Sequence, residues 1–315
     1  MSARERILSS AAQGSLKSSL ARRRRTRTRE VEEGVQELIR YDLGEDPVTR
    51  LLRSAPTNYR EFRRSENLHV SDVLKQCIRK LALLHLLEMR PPAEMISDSM
   101  SIIHACGDAV HDYVKRKVIQ AQGDKVWGDW SCACRDTVVP KTFRARAAKT
   151  ICAKCSTPAD IYAETRLVHP DLPIQGSPDI LLRHAAIYPI EIKSVENEKL
   201  DELTRPDPDH LIQALFYWLL LQENNLPVYD RFSILYVRRA FKFKSPFKEF
   251  VVEAPVLISR LDNYLEDVRH YKRALKGGPL PIRTTCATPD APEAKKCPVC
   301  VQCFGDVGET FSNRS

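Results

Sequence analysis

The order of elements along this chain predicts a mixed α/β sheet flanked by helices. Three observations carry that expectation. Residues 180–195 form an apolar arm, Ile180-Leu181-Leu182, and a second arm from Ile187 to Val195 with alternating side chains, around a tight reversal at Ala185-Ala186, as a β-hairpin does. Residues 99–120 place Ile103, Cys106, Val110 and Val114 at helical spacing. An apolar stretch over 208–222 follows the hairpin and is long enough for a buried helix, and strand patterns resume after it.

Taken in order, residues 1–30 are polar and basic and read as a disordered arm, with Arg22-Arg23-Arg24-Arg25, Arg27 and Arg29 in one block. Such an arm can touch nucleic acid or simply aid solubility. Residues 31–41 carry helical signals. Ser71 and Asp72 open a helix that runs to about residue 89, with Val70 as a hydrophobic staple and Pro91-Pro92 beyond its end. The helix over 99–120 comes next, and residues 127–158 form a polar, cysteine-bearing insertion. A strand is expected over 162–168, then the hairpin, the apolar helix over 208–222, strands at 231–237 and 247–252, and a helix over 255–275. A Pro- and Cys-rich segment ends the sequence.

With 315 residues the chain has length for a sizeable core, and 43% hydrophobic and 29% charged residues are ordinary for a globular protein. The net charge of +8 favours polyanionic partners. No apolar run approaches the roughly 20 residues of a membrane span, and no signal-peptide core follows the N-terminus. A cytoplasmic location, in a bacterial or phage-infected cell, is therefore expected. The ten cysteines there are reduced, and they read as metal ligands in preference to disulfides.

The hairpin carries the chemistry. Alternation places Glu191 and Lys193 on one face of the second arm and Ile190 and Ile192 on the other. Asp179 follows the turn Gly176-Ser177-Pro178 and enters the partner strand where its carboxylate can meet that of Glu191. Two hard oxygen ligands so placed suit Mg²⁺ or Mn²⁺, and Lys193 lies beside them. An exposed strand face with alternating charge produces the same pattern. Around the hairpin, Gly107 and His111 sit one helical turn apart, Gly107 permitting close backbone approach and His111 able to complete a metal shell. Gln213 and Tyr217, at i and i+4, share a face of the later helix, and His210 extends that face.

In this order, Gly107-x₃-His111, Glu164, Gly176-x₂-Asp179, Glu191-x-Lys193 and Gln213-x₃-Tyr217 resemble the RecB-like nucleases of the PD-(D/E)XK superfamily, over residues 70–305. The resemblance implies a restriction-endonuclease-like fold in which His111, Asp179 and Glu191 bind the divalent metal and Lys193 is the catalytic lysine. It further implies that Gln213 and Tyr217 help to hold DNA, while the part played by Glu164 varies in this family.

The cysteines fall into two sets. Cys132-x-Cys134 and Cys152-x₂-Cys155, seventeen residues apart, read as a zinc ribbon. Between them, Lys141, Arg144, Arg146 and Lys149 make a basic finger able to contact a phosphate backbone, though a purely structural staple needs the same cysteines. Cys77 and the late Cys286, Cys297, Cys300 and Cys303 form the second set. One early cysteine with three late ones is similar to the iron–sulfur members of the RecB-like group, including the AddB nuclease domain and the CRISPR-adaptation exonuclease family. That likeness implies a 4Fe–4S cluster on Cys77, Cys286, Cys297 and Cys303. Cys286 stands farther from Cys297 than the family spacing, which leaves Cys300 as an alternative ligand and a C-terminal zinc knuckle as the alternative metal site. Cys106 is expected in the core.

The domain layout that follows is a basic arm at 1–30, a helical N-terminal part of a nuclease at 31–126, the ribbon at 127–158, the nuclease core at 159–275 and a segment at 276–315 closing the iron–sulfur site. The expected function is metal-dependent DNA cleavage with Mg²⁺ or Mn²⁺, by an exonuclease processing DNA ends or single strands in recombination, repair, phage replication or CRISPR adaptation. Two metals are expected, or one with a second arriving with substrate. A nuclease subunit active only in a larger complex is one alternative, since no G-x-x-x-x-G-K-[ST] helicase motif is present. A zinc-finger DNA-binding module with a vestigial site is the other.

Overall fold

The computed structural model describes residues 59–60, 67–91, 94–239 and 246–305, all within one compact unit, Thr57–Ser315. The arm at 1–30 and the helical signal at 31–41 lie outside the described residues. In chain order the strands are β1 (Tyr59–Arg60), β2 (Leu68–His69), β3 (Glu94–Met95), β4 (Trp127–Ser131), β5 (Val138–Phe143), β6 (Ile161–Ala163), β7 (Leu167–Val168), β8 (Ile174–Gly176), β9 (Ile180–Arg183), β10 (Ile187–Val195), β11 (Arg231–Arg238) and β12 (Phe247–Glu253). The helices are α1 (Val70–Lys75), α2 (Ile78–Leu86), α3 (Asp98–Gln122), α4 (Arg144–Ala147), α5 (Asn197–Glu202), α6 (Pro208–Glu223), α7 (Asp262–Leu275), α8 (Pro292–Lys295) and α9 (Cys300–Phe304), with a 3₁₀ turn, Ile258–Leu261, before α7.

The central sheet has the order β12-β11-β10-β9 and is mixed. The expected hairpin pairs β9 with β10 antiparallel, β10 runs parallel to β11, and β12 returns antiparallel. Parallel neighbours need a long crossover, and α5 with α6 supplies it. Its two faces bury different side chains of β11: Phe232, Ile234 and Tyr236 join the main core, while Val237 packs with Ile180, Ile192 and Val114 under α3. The helix α6 is apolar nearly all round, burying Leu211, Ile212, Leu215, Phe216, Leu220 and Leu221, as a helix covered on several sides must be. Its start is fixed by Asp207, whose carboxylate accepts from the Asp209 N–H, and by Pro208 in the first turn. The fold is thus a mixed α/β sheet flanked by helices, with a cysteine-bearing insertion.

Several sequence expectations need correction. The helix expected from 71 to about 89 is two helices, broken where Gln76 and Cys77 adopt extended backbone (φ −118°, ψ 153° and φ −67°, ψ 113°). His69, not Ser71, is the N-cap of α1, its ring accepting from the Ser71 N–H. The strand expected over 162–168 is also broken. Thr165 is fully buried and its hydroxyl donates to Asp129 Oδ1 at 3.3 Å. That anchor turns the chain out of the β5-β4-β6 sheet and into β2-β8-β7, so Glu164 follows a strand instead of lying on one. The apolar stripe of α3 is buried only toward its C-terminal half. Val114 is buried, but Ile103 is 36% exposed and Cys106 is exposed, not in the core.

Candidate active site and thiolate sites

Register builds the acid centre. The last paired residues of the hairpin are Ile190 and Ile180, and one step further Glu191 stands across from Asp179. Gly176, at the end of β8, delivers the chain to Asp179 by lying flush against Tyr217: a Cβ there would come within 2.4 Å of the tyrosine ring. Gly107 plays the matching part on α3, where a Cβ would sit 3.3 Å from Ser194 Oγ of β10. The helix thereby comes close enough for His111 to reach the sheet edge.

Asp179 is almost fully buried and both its oxygens are engaged. Oδ2 accepts from the Ile192 N–H at 2.7 Å, continuing the ladder where β9 stops. Oδ1 meets His111 Nδ1 at 3.0 Å and Lys115 Nζ at 3.5 Å. Burial alone would raise its pKa, but His111, Lys115 and the Ile192 N–H outweigh burial and hold it below the usual carboxylate range. Burial likewise opposes charge on His111, and Asp179 reverses that and raises its pKa.

Glu191 differs. Its Oε1 accepts from Lys193 Nζ at 2.7 Å, while Oε2 is buried without a hydrogen-bond partner among the described residues. Burial, with Asp179 adding repulsion, pushes Glu191 up to about 7 despite Lys193. An orphaned buried carboxylate oxygen costs about 1–3 kcal/mol unless something binds it. Lys193 also donates to Gln213 Oε1 at 2.8 Å, and Gln213 Nε2 donates to the Tyr217 hydroxyl at 2.8 Å. The chain Glu191–Lys193–Gln213–Tyr217 therefore runs from the hairpin onto α6. Tyr217 is buried, so it fixes Gln213 from behind. His210 turns instead to the Tyr236 hydroxyl at 3.1 Å.

Lys115 was not anticipated from sequence. It lies four residues after His111 on the same helix face and joins Glu164 at 2.5 Å. That spacing was its available signal.

The donor chemistry of His111, Asp179 and Glu191, with the unpartnered Glu191 oxygen, suits a hard divalent cation. The three do not converge as tightly as the ribbon thiols do. Cys132, Cys134, Cys152 and Cys155 form the one set of three or more such donors among the described residues with all ligand atoms within 4.8 Å of one another. The thiols of Cys132 and Cys134 are 3.4 Å apart and those of Cys134 and Cys152 are 3.7 Å apart. Four sulfurs at about 2.3 Å from one zinc stand about 3.8 Å apart. Two matching turns build this site. Cys132 N–H donates to Thr137 O and Cys152 N–H to Thr157 O, with Arg135 and Ser156 in the left-handed region (φ 59° and 56°). The Thr157 hydroxyl, 3.0 Å from Cys155 Sγ, and nearby N–H groups draw the Cys155 pKa down to about 5. Despite the Asp136 N–H, the Cys155 thiol and burial push its neighbour Cys134 up to about 12, so the first proton of the group leaves easily and the last does not. Of the finger cations, Arg144 pairs with Asp160 at 3.1 Å, and all four are on the β5–α4 side of the ribbon.

The other cysteines meet as well. Cys77, Cys286, Cys297, Cys300 and Cys303 all line one cavity of about 270 Å³. The break between α1 and α2 turns Cys77 toward it. On the far wall Val299 packs on Leu83 and Leu84 of α2. Arg79 clasps the two ends, donating to Cys303 Sγ at 3.3 Å and to Pro281 O at 2.9 Å. Burial first, then the charges of Cys77, Cys297, Glu293 and Cys303, raise the Cys286 pKa. Cys300 instead points its thiol to Pro289 O at 3.9 Å.

The chain thus joins a mixed α/β fold to an acid–lysine centre and two clusters of cysteines. No protein-family model matches the chain, and no curated protein does. Among solved structures, it is similar to the alkaline exonuclease LHK-Exo from Laribacter hongkongensis, at 13% identity and a TM-score of 0.40 over 67% of this chain and 90% of that one. A second LHK-Exo structure, in complex with dAMP, gives 13% identity and a TM-score of 0.41 over the same shares. SSO0001 gives 13% identity and a TM-score of 0.35 over 78% of this chain and 88% of that one. Among the described residues no helix is long and apolar enough to cross a membrane.

Proposed function

We propose that this protein is a metal-dependent DNA nuclease of the PD-(D/E)XK type, acting on ends or single strands. The observation that carries the reading is the buried pair Asp179, just before β9, and Glu191 on β10, with an unpartnered Glu191 oxygen and Lys193 beside it. Asp179, Glu191 and His111 would hold Mg²⁺ or Mn²⁺, with the Ile192 carbonyl as a further oxygen. When bound, the cation lowers the pKa of water and neutralises charge on the phosphate. Lys193 presents its ammonium where negative charge grows, and Gln213 fixes that ammonium from the α6 side. Tyr217 locks Gln213 in turn, so the pair shapes the DNA-facing wall through Gln213. The finger residues Lys141, Arg144, Arg146 and Lys149 supply backbone contacts.

Zinc on the ribbon and a 4Fe–4S cluster on Cys77, Cys286, Cys297 and Cys303 complete the assignment. Cys300, whose thiol points to Pro289 O at 3.9 Å, is the alternative ligand in that set. Purified protein is expected to be brown and to contain iron, acid-labile sulfide and one zinc per chain. A colourless preparation with two zinc ions would replace the cluster by a second zinc site.

The activity test uses the full chain, labelled single- and double-stranded DNA and Mn²⁺. Asp179→Asn and Lys193→Ala should each lower cleavage on the order of 1000-fold with melting curves still cooperative. Undiminished cleavage by a clean Asp179→Asn preparation would overturn the assignment.

A further inference from the structure

Lys115 places a second ammonium in the acid centre that the hairpin chemistry does not call for. Its side chain is only 15% exposed. Its Nζ lies 2.5 Å from Glu164 Oε1 and 3.5 Å from Asp179 Oδ1. The centre therefore has two unlike sides. On the Glu191 side a buried carboxylate oxygen has no partner. On the Glu164 side, Glu164 Oε1 and Asp179 Oδ1 already face a fixed positive charge.

Charge counting agrees. With all three carboxylates ionised, as metal binding requires, and His111 neutral, Glu164, Asp179 and Glu191 oppose Lys115 and Lys193, which leaves one negative charge. One divalent cation reverses that to one positive charge. A second would crowd three positive charges into a site whose central carboxylates are more than nine-tenths buried, where like charges repel strongly.

We propose that Lys115 stands in for a second divalent cation: the centre binds one cation at His111, Asp179 and Glu191, and Lys115, steered by Glu164, supplies the remaining positive charge beside the phosphate. This rests on the nuclease reading above. It gives Glu164 a definite task, holding the ammonium instead of ligating metal. A merely structural ion pair at Lys115 would change stability without changing how many cations bind.

The test is a Mn²⁺ titration of the full chain, with its iron and zinc in place, followed by the electron paramagnetic resonance of free Mn²⁺. Wild type should bind one Mn²⁺. Lys115→Met should bind two, the second within about tenfold of the first, because Glu164 is then free to bind a cation beside Asp179 without a fixed ammonium between them. Lys115→Arg should stay at one. If the methionine variant fails to fold, Lys115→Gln is read in its place. Two Mn²⁺ in wild type, or one in the charge-removed variant, overturns the inference and leaves the nuclease reading standing. A wild-type protein that binds no Mn²⁺ overturns both.

Discussion

In the ribbon, Cys132 and Cys152 each close a short turn onto a threonine, and the four thiols lie within 4.8 Å of one another. At the C-terminal cavity, Arg79 and Cys303 meet although 224 positions separate them, and five cysteines line about 270 Å³ of space. The ligand type is the same, but the ribbon site is made by local backbone geometry and the cavity by tertiary packing. The ribbon thiols suit one tetrahedral ion, whereas the cavity has room for a larger inorganic group. Losing metal should accordingly have local consequences in the ribbon and global ones at the cavity.

The largest effect is expected from Cys77→Ser. Iron should fall to background, and the docking of Val299 on Leu83 and Leu84 should weaken by about 3 kcal/mol. In a protein this size that lowers the melting temperature by about 5 °C by calorimetry. Cys152→Ser should remove the zinc and expose β5 and β6 to hydrogen exchange, while the main transition moves by about 2 °C or less. Equal shifts in the two variants would break the contrast between local and global sites. The smallest effect belongs to Cys300→Ser, which should keep its iron and change stability within about 0.5 kcal/mol. Iron loss there, with iron kept in Cys286→Ser, would exchange the two cysteines in the ligand set.

Sequence reasoning reached the hairpin, the flanking helices and the grouping of Cys132, Cys134, Cys152 and Cys155 because each is written at short range. Period-2 alternation sets the faces of Glu191 and Lys193, and close cysteine spacing sets the two turns. It missed features that depend on distant partners. The extended backbone at Gln76 and Cys77 has no local breaker residue, and it is the packing of both α1 and α2 that fixes it. Cys106 follows the helical stripe faithfully, yet α3 is covered only from about Gly107 onward, where β10 approaches. Glu164 was read onto a strand because nothing local revealed that buried Thr165 turns the chain between sheets. Lys115 was passed over because a lysine on a helix is ordinarily solvent-facing, and only the acid cluster opposite it says otherwise.

Arg79 has a consequence for biosynthesis. Its guanidinium reaches Pro281, Cys303 and the Cys303 carbonyl, so the cavity wall near Cys77 waits for the last described stretch of chain. A polypeptide emerging N-terminus first can complete the four-stranded sheet, the acid centre and the ribbon while that wall is still unmade. On the proposed cluster assignment, loading of the cavity comes after folding of the rest, and a delivering factor would meet a molecule already folded elsewhere.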